Sequence, residues 1–156
     1  MLTQCWASTL INVLAHVPHH LGVVGPQDLN NNKVLTIAMV HRTHYEIFHY
    51  FYPHEFRNWY SDDWLSQVYG QEHTFMVDNV QMFNSNSQGT RYEKRVEVGK
   101  KLEIFVDQGK RRIKSWLEKK KEEEEEERVT EEERVTEEER VTEKKRLSAL
   151  SEERRR

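Results

Sequence analysis

The sequence predicts an α/β domain followed by a long charged tail. Short apolar runs typical of strands alternate with segments of helical spacing, which is the pattern of α/β folds. The composition then changes abruptly, because six consecutive glutamates at 122–127 open a stretch with few apolar residues. We therefore expect a domain at residues 1–120 and a low-complexity tail at 121–156, either helical or disordered.

The distribution of charge argues against two classes of partner. The 156 residues carry a formal net charge of −3. Residues 1–109 hold 8 Lys and Arg against 11 Asp and Glu, and residues 110–156 hold 16 against 16. Neither part has a basic excess, so we expect no binding to nucleic acid or to an acidic membrane surface. The single cysteine, Cys5, excludes an internal disulfide.

The first segment, Thr3 to Val17, has the apolar spacing of an amphipathic helix, with Thr3 as N-cap and Pro18 as the stop. Its apolar run is interrupted and falls short of the ~20 residues that a membrane span needs. It also lacks the basic start and cleavage site of a signal peptide. Three histidines lie at or just beyond its end and suggest either a metal site or a solvated cluster: His16, His19 and His20.

Two apolar segments predict the first strands. Leu21 to Val24 is expected to be a buried strand that enters a turn at Gly25-Pro26, and Gln27 to Lys33 a loop. Val34 to Val40 then resumes as a strand or extended segment. Binding groups collect at strand ends in α/β folds, so the Arg42 that follows is a candidate contact for a diphosphate or an acceptor.

The alternative for Arg42 is an ion pair with Glu46 or Glu55. Glu46 also forms a Thr-x-x-Glu capping box with Thr43, which predicts the start of a helix that Pro53 ends. Aromatic residues share one face of this helix, and they form either core or a platform for an acceptor sugar: Tyr45, Phe48 and Tyr52.

Two adjacent carboxylates, Asp62 and Asp63, lie between tryptophans. Ser61 is the expected N-cap of a helix from Asp62 to Tyr69, which Gly70 closes. Apolar residues at spacings of three and four anchor this helix and leave the acids at its N-terminal end. The acids either complement the helix dipole or supply a general base beside an apolar wall. That wall consists of Trp59, Tyr60, Trp64 and Tyr69.

The later segments predict a strand, a turn and a charged helix. Thr74 to Phe83 has strand composition, Asn84 to Gly89 is a polar turn, and Leu102 to Leu117 has a helical apolar stripe. The motif Arg-Val-Thr-Glu-Glu-Glu then repeats every six residues. This period turns successive valines by about 120° around a helix, so they cannot line a coiled-coil seam. Ion pairs at three- and four-residue spacing make a solvated helix possible, and disorder is the alternative.

Several ordered motifs resemble a known family. The sequence resembles the C-terminal half of GT-A-type, family 2-like nucleotide-diphospho-sugar glycosyltransferases, a Rossmann-related fold. The resemblance covers about Leu21 to Tyr92. Its motifs are Leu21–Pro26, Val40–Phe48, Phe51-Tyr52-Pro53, Asn58–Asp63 with Trp64, Gln67–Gly70 and Gly89–Glu93. His49 departs from the family pattern, which has a glycine at this position.

The resemblance assigns roles to individual residues. Asp63 is implied to be the base that deprotonates the acceptor hydroxyl, with Asp62 orienting the helix or the acceptor. Trp59, Trp64 and Arg42 are implied substrate contacts. Arg91 is implied to meet nucleotide phosphate, with a structural ion pair as the alternative, and His73 to ligate a metal.

The resemblance also implies partners and a cofactor. The expected donor is a nucleotide sugar, the acceptor a hydroxyl of a carbohydrate or protein, and the cofactor a divalent Mn or Mg ion. GT-A enzymes hold that ion through an Asp-x-Asp element, which this sequence lacks. We therefore expect a fragment without the donor-binding half. A Golgi or endoplasmic-reticulum lumen is compatible with the resemblance. The alternative function is a non-catalytic truncated protein whose charged tail binds a protein partner.

Overall fold

A computed structural model of the chain describes residues 5–31, 33–56, 59–83 and 96–153. The chain divides into two compact units, Met1–Lys114 and Ser115–Arg156. The first unit combines a small mixed sheet with helices, which is an α/β arrangement. The GT-A-like part of the predicted fold stays a prediction.

The sheet of the first unit has three strands. The central strand is β1, Val23–Asp28, with β2, Met39–Val40, on one side and β3, Thr74–Met82, on the other. β2 is antiparallel to β1, whereas β3 is parallel to it. The strand predicted at Thr74 to Phe83 is therefore confirmed. The strand expected over Val34 to Val40 is reduced to the two residues of β2.

The turn predicted at Gly25-Pro26 is wrong, because both residues lie inside β1. A Cβ on Gly25 would collide with the Ile37 carbonyl oxygen, so a glycine here lets a neighbouring segment approach the strand closely. The register with β3 shifts directly after Pro26. A residue without an N–H is tolerated at such an irregularity, which explains how proline fits inside a central strand.

The N-terminal helix is α1, Trp6–Ala15, which confirms the predicted helix with shorter ends. Its proposed N-cap, Thr3, lies outside the described residues. Leu10 and Leu14 are buried and pack with Val24 of β1, so α1 covers one face of the sheet. Among the described residues, no helix is both long and apolar enough to cross a membrane.

The second helix is α2, Thr43–Phe48. The predicted capping box is wrong, because Thr43 lies inside the helix and its hydroxyl contacts the carbonyl oxygen of His19 at 3.1 Å. The helix also ends before Pro53, since His49 adopts a left-handed backbone with a φ of 64°. This conformation favours glycine, which is the residue that the resembled pattern has at this position.

The third helix is α3, Ser61–Tyr69. Ser61 is its first residue rather than its cap, and Tyr60 occupies the cap position with a left-handed φ of 72°. The predicted N-cap is therefore wrong by one residue. Gly70 closes the helix with a φ of 63°, as predicted. The predicted anchoring face is buried, and it consists of Trp64, Leu65 and Val68.

Two helices follow the part of the chain at 84–95 that lies outside the described residues. These are α4, Val96–Gly99, and α5, Leu102–Glu153. In the first unit, α5 buries Val106 and Ile113, as its apolar stripe predicts.

In the second unit, α5 is a solvated helix. The repeat valines are exposed by 43%, 43% and 41%, so none of them joins a core: Val129, Val135 and Val141. Ion pairs follow the spacing expected from the repeat. Arg128 and Arg134 each pair with glutamates three residues before and four residues after. The structure therefore favours the helical alternative for the tail over disorder.

Candidate functional site

The two acids singled out by the sequence occupy the first turn of α3 and are half-buried. A carboxylate oxygen of Asp62 accepts the backbone N–H of Asp63 at 3.1 Å. The first N–H groups of a helix lack partners within the helix, so this bond commits Asp62 to the helix start. Its expected orienting role has this contact in its favour. The expected role of Asp63 as a base stays a prediction.

Trp64 fixes the position of α3 from inside the core. Its side chain is fully buried, and its indole Nε1–H donates to the Phe105 carbonyl oxygen at 3.1 Å. The indole and the ring of Phe48 pack edge to face, with ring centres 5.3 Å apart. Trp64 therefore holds the helix that carries the acids. It has no exposed surface with which to contact a substrate in this conformation.

Close packing between α3 and α5 adds to this support. A Cβ on Gly109 would collide with Cγ2 of Val68, so the two helices approach closely at this glycine. Arg112 of α5 donates to the Phe48 carbonyl oxygen at 3.4 Å, at the end of α2. Its guanidinium also lies 5.7 Å from the ring centre of Tyr50. The first-unit part of α5 thus ties α2 and α3 together.

Trp59, the aromatic residue before the acids, is half-buried. Its indole N–H is buried and has no hydrogen-bond partner among the described residues. An unpaired buried donor costs about 1–3 kcal/mol, so a ligand acceptor at this position would be stabilising.

The remaining predicted site residues are dispersed. Arg42 precedes α2, has a side chain that is 82% exposed, and pairs with Glu46 at 3.2 Å, which is the structural alternative. Arg91 lies outside the described residues. His73 follows the other end of α3, is half-buried, and has a buried Nδ1 with no partner in the described parts of the chain. Arg42 therefore pairs with Glu46 rather than with the acids, and His73 lies beyond the opposite end of their helix.

The cation implied by the resemblance has no evident set of ligands. Within residues 5–31, 33–56, 59–83 and 96–153, no group of three or more His, Cys, Asp or Glu side chains could hold a metal ion. Within these residues, His73 therefore has no set of neighbouring side chains with which it could bind a metal ion. The part of the chain that the structure describes therefore supplies no ligand set of this kind for the expected cation.

A buried polar pair connects α2 and α3, and sequence reasoning missed it. His44 is 1% exposed, with Nε2 at 2.9 Å from the Phe51 carbonyl oxygen and Nδ1 at 2.9 Å from the Tyr69 hydroxyl. A carbonyl only accepts, so Nε2 carries the hydrogen and Nδ1 accepts from the hydroxyl of Tyr69. The two residues are 25 positions apart, and no local pattern links them.

Burial sets the protonation of this pair. Desolvation lowers the pKa of His44 below its ordinary value, although hydrogen bonds to the carbonyls of Phe51 and Tyr50 oppose the shift. Burial also raises the pKa of Tyr69. Both side chains are therefore neutral at pH 7, inside an aromatic cluster with Phe48 and Trp64. This pair is a structural contact that joins α2 to α3.

Comparison with protein-family models, with curated proteins and with solved structures found no match to this chain. The glycosyltransferase hypothesis therefore depends on the motifs in the sequence and on the geometry around the two acids.

Proposed function

We propose that this chain carries the acceptor side of an inverting, GT-A-type glycosyltransferase, with Asp63 as the general base. The observation that supports this proposal is the setting of Asp63. It lies half-buried in the first turn of a helix that is anchored by the buried Trp64 and its hydrogen bond to Phe105. A base held rigidly at the edge of an apolar wall suits proton abstraction from a positioned hydroxyl.

The proposed reaction balances with one base. The acceptor hydroxyl gives its proton to the Asp63 carboxylate while its oxygen bonds to the anomeric carbon of the donor. The bond from that carbon to the diphosphate breaks, and the nucleoside diphosphate leaves with the electron pair. Attack opposite the leaving group inverts the anomeric centre.

Two neighbours would assist the acceptor. Asp62 holds the backbone N–H of Asp63 and so fixes the direction of the base. Trp59 is half-buried and would offer its ring to the apolar face of a sugar; its indole N–H, buried here without a partner among the described residues, would donate to a sugar hydroxyl once the ring turns toward it. The nucleotide-sugar donor and its Mn or Mg ion would be bound by residues outside the stretch 21–92, since this stretch has no Asp-x-Asp element.

The acceptor proposal is tested by saturation-transfer NMR on the full chain with methyl glycosides of glucose, galactose, mannose, N-acetylglucosamine and N-acetylgalactosamine. We expect millimolar binding of at least one of them. Trp59→Phe should weaken that binding about 10-fold, because it removes one hydrogen bond. Asp63→Ala should weaken it at least as much, whereas Asp78→Ala, an exposed acid on β3, should have no effect. Absence of binding, or equal binding by the Asp63 variant, contradicts the proposal.

The donor side is tested by calorimetric titration of the chain with uridine and guanosine diphosphate sugars in the presence of Mn²⁺. We expect no measurable heat of binding. Micromolar affinity, about −8 kcal/mol, would mean that the donor site lies within this chain after all.

A second candidate function is a non-catalytic protein whose charged helix binds a protein partner. The observation in its favour is the solvated part of α5 in the second unit, which exposes both signs of charge over its length. Deletion of 121–156 would then abolish the biological function, and Asp63→Ala would preserve it. The glycosyltransferase proposal predicts the opposite pair of results.

A further inference from the structure

We propose that His20 and His41 form a two-histidine site for a transition-metal ion such as Zn²⁺, Ni²⁺ or Cu²⁺, with water completing the coordination. The site uses neither Asp62 nor Asp63 and does not depend on the proposed transferase activity. The two histidines are 21 positions apart in the sequence, so only the fold reveals the pair. Nearness in the sequence groups His20 with His16 and His19 instead.

The distance between the rings suits joint binding of one ion. The ring centres of His20 and His41 are 4.6 Å apart, with the planes inclined by 49°. Two imidazoles on adjacent positions of a tetrahedral or octahedral ion place their ring centres about 4.5–5.2 Å apart, given metal–nitrogen bonds of about 2.0–2.1 Å. The observed separation falls in this range.

Hydrogen bonds orient the first ring. His20 Nδ1 lies 3.1 Å from the Leu14 carbonyl oxygen, which can only accept, so Nδ1 carries the hydrogen. The lone pair is then on Nε2, which is free to bind a metal. Ligating histidines in proteins commonly have this second bond, from the other ring nitrogen to a carbonyl or carboxylate.

A relay of two hydrogen bonds orients the second ring. His41 Nδ1 is 2.9 Å from the Thr43 hydroxyl, and that hydroxyl is 3.1 Å from the His19 carbonyl oxygen. With its hydrogen given to His19, the hydroxyl accepts from His41 Nδ1, and Nε2 of His41 has the lone pair. In the other tautomer, Nδ1 of His41 accepts the Thr43 backbone N–H at 3.3 Å, and Nε2 carries the hydrogen. Metal binding through Nε2 requires the first tautomer, so it gives up this bond.

The backbone between these contacts is strained. His19 and His20 both adopt left-handed conformations, with φ of 54° and 53°. Such a conformation is unfavourable for a residue with a Cβ, so two in succession need compensation from their surroundings. The bond from Thr43 to His19 and the contact between the two imidazoles hold this turn against α2.

Access and ligand chemistry also favour metal binding. His20 is exposed, so ions can reach the pair. Imidazole prefers Zn, Ni and Cu over Mg and Mn, which separates this site from the cation expected for a GT-A enzyme.

The test is calorimetric titration of the full chain, free of any polyhistidine tag, with Zn²⁺ and with Ni²⁺ at pH 7.5. We expect one ion per chain. His20→Ala and His41→Ala should each lower the affinity by more than about 10-fold, since loss of a ligand exceeds the effect of an outer-shell change. His16→Ala is the matched control, because it removes an exposed histidine whose Nδ1 also bonds a backbone carbonyl.

Thr43→Val tests the positioning role of the hydroxyl. Metal affinity should fall about 10-fold, as is typical for loss of an outer-shell partner. The imidazole Hε1 signals of His20 and His41 should shift together in NMR spectra on addition of Zn²⁺. The proposal is overturned if no ion binds, or if His20→Ala and His41→Ala bind as tightly as His16→Ala. These results do not test sugar binding at Asp63. Either proposal can therefore fail while the other stands.

Discussion

His44 illustrates how one buried polar side chain can link two helices. Its ring nitrogens contact the hydroxyl of Tyr69 and the carbonyl of Phe51, so both ring nitrogens are satisfied without water. A satisfied polar pair inside an aromatic cluster adds directionality that apolar packing lacks. The position of α3, and with it the direction of Asp63, depends on this pair as well as on Trp64.

Replacement of Tyr69 by phenylalanine tests how much this hydrogen bond contributes to the free energy of unfolding. The change leaves His44 Nδ1 buried without a donor, and we expect the free energy of unfolding to fall by about 1–2 kcal/mol. Urea denaturation monitored by tryptophan fluorescence measures it. Tyr45→Phe is the control, because Tyr45 is 50% exposed and its loss of a hydroxyl should cost less than about 0.5 kcal/mol. Equal effects of the two changes would show that the buried bond contributes nothing.

The depressed pKa of His44 predicts how stability depends on pH. Below the ordinary value of 6.5, the unfolded chain binds a proton that the folded chain does not. Stability is therefore complete above about pH 6.5 and decreases as pH falls toward the lower folded-state pKa. Urea midpoints at pH 7.5 and 5.5 test this, and His44→Gln should reduce the difference between them. His41 contributes a change of the same sign, so the difference should shrink rather than vanish.

At the scale of elements, the contact between α3 and α5 is set by a single glycine. Gly109→Ala raises helix propensity by about 1 kcal/mol but forces a methyl group into Val68. Overpacking costs about 1–3 kcal/mol, so we expect a net loss of stability despite the better helix former. The double variant with Val68→Ala should recover part of the loss, as measured by thermal unfolding. A Gly109→Ala protein more stable than the parent would mean that the helices have room to separate.

The solvated part of α5 depends on a narrow balance. Each repeat contains Val and Thr, which together cost about 1 kcal/mol of helix propensity relative to alanine. Two ion pairs per repeat stabilise the helix by about 0.4–1 kcal/mol at low salt. Arg134 forms such pairs with Glu131 and Glu138, at 2.6 and 3.4 Å. The terms nearly cancel, so the helix should be sensitive to anything that weakens its ion pairs.

Circular dichroism at 222 nm tests this sensitivity. Raising NaCl from 10 mM to 1 M should lower the helix signal of the full chain, because salt screens exposed pairs. Arg134→Gln should lower the signal at 10 mM salt, with little difference from the parent at 1 M. Val135→Ala is the control, since it should raise the signal at both salt concentrations. A helix signal that is independent of salt would mean that something other than ion pairs stabilises this segment.

Local patterns predicted the elements better than their ends. Periodicity and composition identified α1, β3 and the stripe of α5, because these depend on residues close in sequence. The capping residues predicted for α2 and α3, the C-terminal end of α2 and the turn at Gly25-Pro26 were wrong, whereas Gly70 closes α3 as predicted. Two of these errors involve distant partners. The carbonyl of Ile37 approaches Gly25, and the hydroxyl of Thr43 bonds His19 instead of capping its own helix.

The candidate site shows the same division. The sequence placed Asp62 and Asp63 correctly at the start of a helix anchored by Trp64, because spacing alone decides which face is buried. It could not foresee that Trp64 would be fully enclosed, since this depends on Phe105, which is 41 residues away. The pairs His44 with Tyr69 and His20 with His41 likewise need the folded chain. Their members have no local pattern in common.

At the scale of the whole molecule, the two units have different sources of stability. The first unit has a core that includes Leu10, Val24, Phe48 and Trp64, all with no exposed surface. The described side chains of the second unit contribute no comparable apolar surface, and its ion pairs are exposed and worth little each. Hydrophobic stabilisation scales with apolar area removed from water, at about 25 cal/mol per Å². The thermal unfolding of the chain should therefore report the first unit almost alone.

Truncation after Lys120 tests this expectation directly. The removed segment holds few apolar groups, and its exposed ones are Val129, Val135, Val141 and Leu147. Since a change of about 1 kcal/mol shifts the midpoint of a domain of this size by roughly 4–8 °C, a shift below 4 °C means that the segment stabilises the rest by less than that amount. We expect such a small shift by near-ultraviolet circular dichroism, which follows the aromatic core.

A much lower midpoint after truncation would show that the tail stabilises the domain or pairs with a second copy. A midpoint of the full chain that depends on protein concentration would identify the second case. Either outcome would favour the partner-binding function over the acceptor side of a glycosyltransferase.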